Sequence, residues 1–160
     1  GVDGVGDLVY QASDLSGARR TEFLKEARAG RARLRDKDGV SLVMLPEAEL
    51  ATLERFAQLS RFANMLQTAA SRDEPLSLME LGEFAWLRVF DSEDLEDFRS
   101  ELWHALVASL ADKRLDVLEL MLNEWRITAR QMDDPLRRSV LTASHETSEY
   151  EVAPAPEVDD

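Results

Sequence analysis

The first 45 residues contain two different spacings of hydrophobic positions. Residues 8–10 form a short apolar run that predicts a strand, and a 3.6-residue pattern that follows predicts a helix. Ser13 or Ser16 caps this helix, and Gly30 ends it. Arg20 projects onto the apolar face of the helix, so either the helix begins near Arg20 or the aliphatic part of this side chain lies over the core. The apolar face consists of Phe23, Leu24 and Ala27.

Residues 31–37 alternate between small or apolar side chains and cations, which predicts a second strand. Asp38-Gly39 is a typical two-residue hairpin turn, and residues 40–45 then return as a third strand. In the register that this turn imposes, Lys37 faces Val40, Arg35 faces Leu42, Arg33 faces Met44, Leu34 faces Val43 and Ala32 faces Leu45. Val40, Leu42 and Met44 would then share the cationic face. We expect a second subunit to cover them in a dimer interface.

The remainder of the chain has helical spacing as far as Asp134-Pro135. A helix begins at Pro46 and extends to about Ala70, and a short helix over 76–90 is interrupted at Gly82. Asp91 caps a longer helix that forms a helical hairpin with the last one. The apolar face of the longer helix is predicted to be Leu95, Phe98, Leu102, Leu106 and Leu110.

These elements predict an α+β fold, with a small strand-helix-hairpin-helix domain in front of an all-helical acidic region. We expect a flexible leader at 1–7, a first domain at 8–70 and a helical partner-binding region at 74–141. Residues 142–160 are polar and acidic, contain two prolines and have no helical spacing, so they are predicted to form a disordered tail.

Charge separates the hairpin region from the rest of the chain. The net charge of the 160 residues is −13, yet residues 8–45 carry eight cations against five acids, which is +3. The rest therefore carries −16, and a polyphosphate would be repelled by it. Any nucleic-acid contact must be local to the basic region. The alternative is that its cations form a solvated strand face that discourages edge-to-edge aggregation.

Several functional classes find no support in the residues. There is no cysteine, no apolar run of the roughly 20 residues that span a bilayer, and no signal-peptide pattern, so we expect a soluble cytoplasmic protein without membrane association. Neither His104 nor His145 has a second ligand at metal-binding spacing. Nucleophile elbows and phosphate-binding glycine loops are absent, so we expect no enzyme activity, no cofactor and no small-molecule substrate.

The order of elements over residues 8–70 resembles the Phd/YefM (prevent-host-death) family of bacterial antitoxins. The opening VYQASDLS is similar to the first strand and helix start of the family, and RLRDKDG is similar to its arginine and turn. VSLVMLPEAELATLE is similar to its closing strand and long helix. The chain departs from the family at Asp14, where many relatives have a basic residue, and in its long helical region after Ser71.

The resemblance implies a dimer whose first domain binds operator DNA and represses its own operon, and whose later segment neutralises a toxin. It implies that the segment from Tyr10 to Leu15, together with Arg35, meets phosphate and groove. With the neighbouring cations, the DNA-binding residues are then expected to be Tyr10, Ser13, Arg19, Arg20, Arg33, Arg35 and Lys37.

Aromatic side chains in the helical region are candidates for binding a basic protein toxin, because aromatics beside an acidic surface suit such a partner. The candidates are Phe84, Trp86, Trp103 and Trp125, although the spacing of these aromatics is mostly that of core residues. Trp86 and Trp103 lie near the edges of their apolar stripes, and for at least one of these two we favour packing of the helical hairpin against residues 76–90. Two other functions stay open: an adaptor or structural interaction protein without DNA binding, and a transcriptional regulator without a toxin.

Overall fold

The computed structural model describes residues 8–134, which form a mixed α and β fold, as the sequence predicts. The chain divides into two compact units, 1–58 and 59–160. The boundary falls inside a single long helix, whereas the sequence places it after residue 70. The predicted leader at 1–7, the end of the helical region at 135–141 and the acidic tail lie outside the described residues.

The first unit is a three-stranded sheet covered on one face by a helix. Strands β1 (Val9–Gln11), β2 (Ala32–Arg35) and β3 (Ser41–Met44) lie in that order, with β1 parallel and β3 antiparallel to β2. Helix α1 (Arg20–Ala29) connects β1 to β2. Its side chains pack on the sheet in a buried cluster of Tyr10, Phe23, Ala27, Ala32 and Leu34.

The first helix begins later than its serines suggest. Residues Ala12–Ser16 form a 3₁₀ turn, in which Asp14 Oδ2 accepts the backbone N–H of Gln11 at 2.8 Å. The α-helix starts only at Arg20, and Arg20 is exposed. Of the two alternatives for Arg20, the structure therefore has the helix beginning at it.

The register predicted for the hairpin is wrong by one residue. Leu34 pairs with Leu42 and Arg33 pairs with Val43, so the connection between the strands is longer than Asp38-Gly39. Asp36 is the cause: its Oδ1 accepts the backbone N–H of Asp38 at 2.8 Å and that of Val40 at 3.1 Å. Gly39 takes a φ of 82°, which a three-residue loop requires at its last position.

The second unit is helical. It includes the part of α2 (Glu47–Arg72) from Leu59 onward, followed by α3 (Leu78–Leu81), a 3₁₀ segment (Gly82–Val89), α4 (Ser92–Asp112) and α5 (Asp116–Asp133). Gly82 has a φ of 54° and separates α3 from the 3₁₀ segment, as predicted. Asp91 caps α4, since its Oδ1 accepts the N–H of Asp94 at 2.8 Å.

The predicted apolar face of α4 is correct in its middle and wrong at its end. Phe98, Leu102 and Leu106 are buried, but Leu110 is exposed and Ser109 is buried in its place. Each step of four residues rotates a position by about 40° around an α-helix. After three such steps Leu110 has left the core side, and a step of three from Leu106 brings Ser109 onto it.

Candidate functional site

One face of the sheet in the first unit remains open. Because residues opposite each other in paired strands point to the same side, the pairing places Arg33 between Val9 and Val43, and Arg35 between Gln11 and Ser41. Helix α1 covers the other face, which carries Tyr10, Ala32 and Leu34. We call the first set the open face: Val9, Gln11, Arg33, Arg35, Ser41 and Val43.

The two arginines of the open face are available to a ligand. Both side chains are exposed, and neither forms an ion pair with another described residue. Two positions on one side of a strand lie about 7 Å apart. The sequence alternation predicted this pair, and the structure confirms that Arg33 and Arg35 face outward while Ala32 and Leu34 face the core. Planar guanidinium groups suit bidentate contact with phosphate oxygens.

Arg19 contacts two carboxylates and an aromatic ring of its own unit. Its guanidinium lies 3.7 Å from Asp14 Oδ2 and 3.7 Å from Glu22 Oε2, and its Cζ is 4.5 Å from the centre of the Tyr10 ring. Asp14, the position where the chain departs from the Phd/YefM pattern, therefore both caps the 3₁₀ turn and holds Arg19. A ligand would have to compete with these local contacts.

Tyr10 lies in the core, so its side chain is not on the surface that was expected to meet DNA. It is fully buried and meets Phe23 edge-on with ring centres 5.1 Å apart. Its hydroxyl and Glu26 Oε2 are buried atoms without a hydrogen-bond partner of good geometry among the described residues. Burial raises the pKa of Tyr10, and the close approach of its hydroxyl to the Glu26 carboxylate, although short of good hydrogen-bond geometry, raises it further.

The remaining predicted DNA-binding residues are exposed but lie apart from the strand pair. Ser13 is in the 3₁₀ turn, Arg20 is the first residue of α1, and Lys37 is in the hairpin loop beyond the end of β2. The sheet therefore brings together only Arg33 and Arg35 of the predicted set.

Strand β3 is the exposed edge of the sheet and is apolar on both sides. The register correction moves Leu42 and Met44 to the side of Leu34 and Ala32, away from the arginines. Val40 is at the end of the loop, where the N–H of Asp36 donates to its carbonyl oxygen at 3.0 Å. All three stay about half exposed, and so does Val43, which the sequence did not single out.

The backbone of Val43 faces away from the sheet. The bond from Asp36 N–H to Val40 makes residues 36 and 40 a hydrogen-bonded pair, and such pairs alternate along an antiparallel ladder. Leu34 and Leu42 are then hydrogen-bonded, and Arg33 and Val43 are not. The N–H and C=O of Val43 therefore point to the open edge, where another strand can pair with them.

Three of the four aromatics expected to bind a partner pack within the second unit instead. Phe84 is buried and stacks on Phe62 at 4.0 Å between ring centres. Trp86 and Trp125 both meet Phe98 edge-on, at 5.8 and 5.3 Å, and Trp125 Nε1 donates to Glu101 Oε2 at 3.1 Å. Their helical spacing indicates core residues, and the structure shows which aromatic rings they meet.

Trp103 differs from the other aromatics. It is 59% exposed and lies at the edge of the buried face of α4, where its side chain reaches solvent. Of the predicted partner-binding residues, this is the one whose side chain the structure presents to solvent.

Comparisons with family models, with curated proteins and with solved structures find no match to this chain. Within residues 8–134, no cluster of three or more acidic or histidine side chains is arranged to hold a metal ion. Over the same residues we find no helix with the length and apolar character that crossing a membrane requires.

Proposed function

We propose that the chain is an antitoxin-type regulator of the Phd/YefM kind. Its first unit binds operator DNA as a dimer, and its second unit neutralises a basic protein toxin. The observation that carries the proposal is the open face, where Arg33 and Arg35 lie exposed and have no ion-pair partner among the described residues. Two adjacent arginines of this kind form a local cationic site for a polyanion in an otherwise acidic protein.

The apolar edge at β3 supports the dimer. Two β3 strands paired antiparallel form an isologous interface around a two-fold axis, and they bury Leu42, Val43 and Met44 of both copies. The sheet then continues across the axis with Arg33 and Arg35 of both copies on one face. Such a face suits a duplex with two related half-sites.

A reporter gene behind the chain's own promoter tests this function in cells. The wild-type chain is expected to lower reporter output, and the Arg33→Ala, Arg35→Ala double variant is expected to restore it. In a second assay the wild-type chain rescues growth when the product of an adjacent small basic reading frame is expressed. If the double variant represses the reporter as well as wild type does, Arg33 and Arg35 do not bind the operator. If the wild-type chain does not rescue growth, that reading frame does not encode a toxin that this chain neutralises.

A second candidate is an adaptor of similar fold without DNA binding. The observation that favours it is Arg19, which Asp14 and Glu22 already hold, so the helix start contributes less cationic surface than the sequence suggests. For an adaptor, the promoter reporter is unaffected by the chain.

A further inference from the structure

Helix α4 has a second stripe of residues on its outer side. Positions 93, 96, 100, 103, 107 and 110 follow one another in steps of three and four, and all six are exposed. We call this set the outer stripe: Glu93, Glu96, Ser100, Trp103, Val107 and Leu110. The buried positions of α4 form a separate stripe, which borders the outer stripe on the side of Trp103 and Leu110.

The spacing of the outer stripe is the one that another helix packs against. Alternating steps of three and four residues keep side chains along a single seam, as in coiled coils. The seam changes character along its length, because it begins with two carboxylates and ends with three apolar side chains. Trp103 is the first of these, and tryptophan is among the residues most enriched at the centres of protein interfaces.

A second copy of α4 is a poor occupant of this seam. Paired antiparallel, the two copies would place Glu93 against Leu110 and Glu96 against Val107. Paired parallel, they would place the carboxylates against one another. Glu96 has an ion-pair partner on its own helix, Arg99 at 3.8 Å, but neither arrangement brings a new cation to Glu93 or Glu96 while both desolvate them, which is costly.

The acidic end of α4 indicates the charge of the true occupant. Asp91, Asp94 and Asp97 crowd the first turns of the helix beside the outer stripe. Burial raises the pKa of Asp94, and the charges of Asp91 and Asp97 raise it further. Together with Glu93 and Glu96, these carboxylates give this end of α4 an excess of negative charge, which attracts a cationic partner.

We propose that the outer stripe of α4 binds one amphipathic helix of a basic protein, with Lys or Arg over Glu93 and Glu96 and apolar side chains over Trp103, Val107 and Leu110. The identification of that protein as the toxin rests on the proposed function; the surface itself does not. In a complex of this kind Trp103 is the central anchor.

A designed peptide tests the surface directly. The probe is a labelled helical peptide of leucine and lysine with leucines at the same three-four spacing, titrated into the full chain and followed by fluorescence anisotropy. Trp103→Glu is expected to weaken binding by about tenfold or more, because it removes an anchor and places a carboxylate that must be desolvated against the leucines of the peptide. Leu120→Glu is the matched control, since Leu120 on α5 is 58% exposed against 59% for Trp103.

Two further peptides distinguish specific binding to the outer stripe from nonspecific hydrophobic or electrostatic binding. A leucine-glutamate peptide with the same spacing is expected not to bind, and neither is a lysine-serine peptide without apolar residues. Glu93→Lys provides a second variant, expected to weaken the leucine-lysine peptide without changing the apolar half. If the lysine-serine peptide binds equally well, or Leu120→Glu weakens binding as much as Trp103→Glu, the proposal is overturned.

The toxin assay distinguishes this inference from the proposed function. Suppose that wild type and Leu120→Glu rescue growth and that Trp103→Glu does not. This result supports both the antitoxin function and toxin binding by the outer stripe. Equal rescue by the Trp103 variant overturns the outer stripe as the toxin-binding surface and leaves the antitoxin function in place. If the outer stripe binds the peptide but wild type does not rescue growth, the outer stripe is a binding surface whose partner is not this toxin.

Discussion

Arg33 and Val43 lie directly opposite each other on the open face of the sheet. This pair joins the two features on which the account rests, because the arginine carries charge toward a ligand and the valine is on the strand with the free edge. The backbone of Val43 points to that edge, so one strand position serves both the proposed DNA face and the proposed dimer.

The salt dependence of DNA binding measures the contribution of each arginine. Replacing Arg33 or Arg35 by alanine should lower the slope of log K against log salt by about 1 each, because one phosphate contact releases about one counterion. Lys25→Ala removes the same charge from α1, which covers the other side of the sheet, and should leave the slope nearly unchanged. If all three substitutions change the slope equally, net charge and not the open face determines binding.

Val43→Pro should convert the dimer into a folded monomer. Proline removes an N–H that points to the open edge and takes nothing from the bonds between β2 and β3. Sedimentation velocity reports the mass, and far-ultraviolet circular dichroism reports the fold.

Leu42→Pro is the matched control for the edge variant. Its N–H points toward β2, so the same substitution one residue earlier should damage the hairpin as well. A Val43→Pro chain that is folded and still dimeric would place the interface elsewhere than at the β3 edge.

The buried hydroxyl of Tyr10 should contribute little to stability. Its polar neighbour is the Glu26 carboxylate, which it meets without good hydrogen-bond geometry, so Tyr10→Phe should change the free energy of unfolding by less than about 1 kcal/mol. Phe23→Ala, in the same cluster, should lower it by about 3–5 kcal/mol through the cavity it leaves. Urea unfolding compares the two, and a clear loss of stability in Tyr10→Phe would show that the hydroxyl has a partner in solution.

The stability supplied by Glu80 should depend on pH. Ser77 N–H donates to Glu80 Oε1 at 3.0 Å, and this bond, followed by the Ser77 hydroxyl, lowers the pKa of Glu80 below its usual 4.5. When the pKa of a carboxyl group is lower in the folded state than in the unfolded state, its ionised form stabilises the fold. This stabilisation is present above the unfolded-state pKa and is lost as the pH falls through the folded-state pKa. Glu80→Gln should therefore be less stable than wild type at about pH 7, with the difference shrinking below about pH 4.

Unfolding midpoints across that range, with Glu124→Gln as a surface control, measure this effect. A difference that stays constant down to the lowest pH would mean that the ionised carboxylate is not what the cap depends on.

The sequence predicts the elements of this fold better than their registers. The alternation that sends Arg33 and Arg35 outward is a local property of the strand, and it is confirmed. The register of β3 was predicted wrongly because Asp38-Gly39 was taken as the whole loop. Asp36 extends the loop through two hydrogen bonds that only a particular backbone geometry allows.

The candidate sites show the same limit. Tyr10 and Phe84 were expected on surfaces, and both lie in cores, because burial depends on which elements cover a residue. The outer stripe was readable in principle, since the three-four spacing of Trp103, Val107 and Leu110 is present in the sequence. It was missed because Leu110 was assigned to the inner face, which its rotation around the helix excludes.

Binding of the full chain to the DNA upstream of its own gene shows whether the protein recognises an operator. The titration compares that duplex with a random one of equal length at two salt concentrations. We expect tighter binding to the upstream duplex and a fall in affinity at the higher salt for both. Equal affinity for the two duplexes, or affinity that salt does not change, would contradict this expectation.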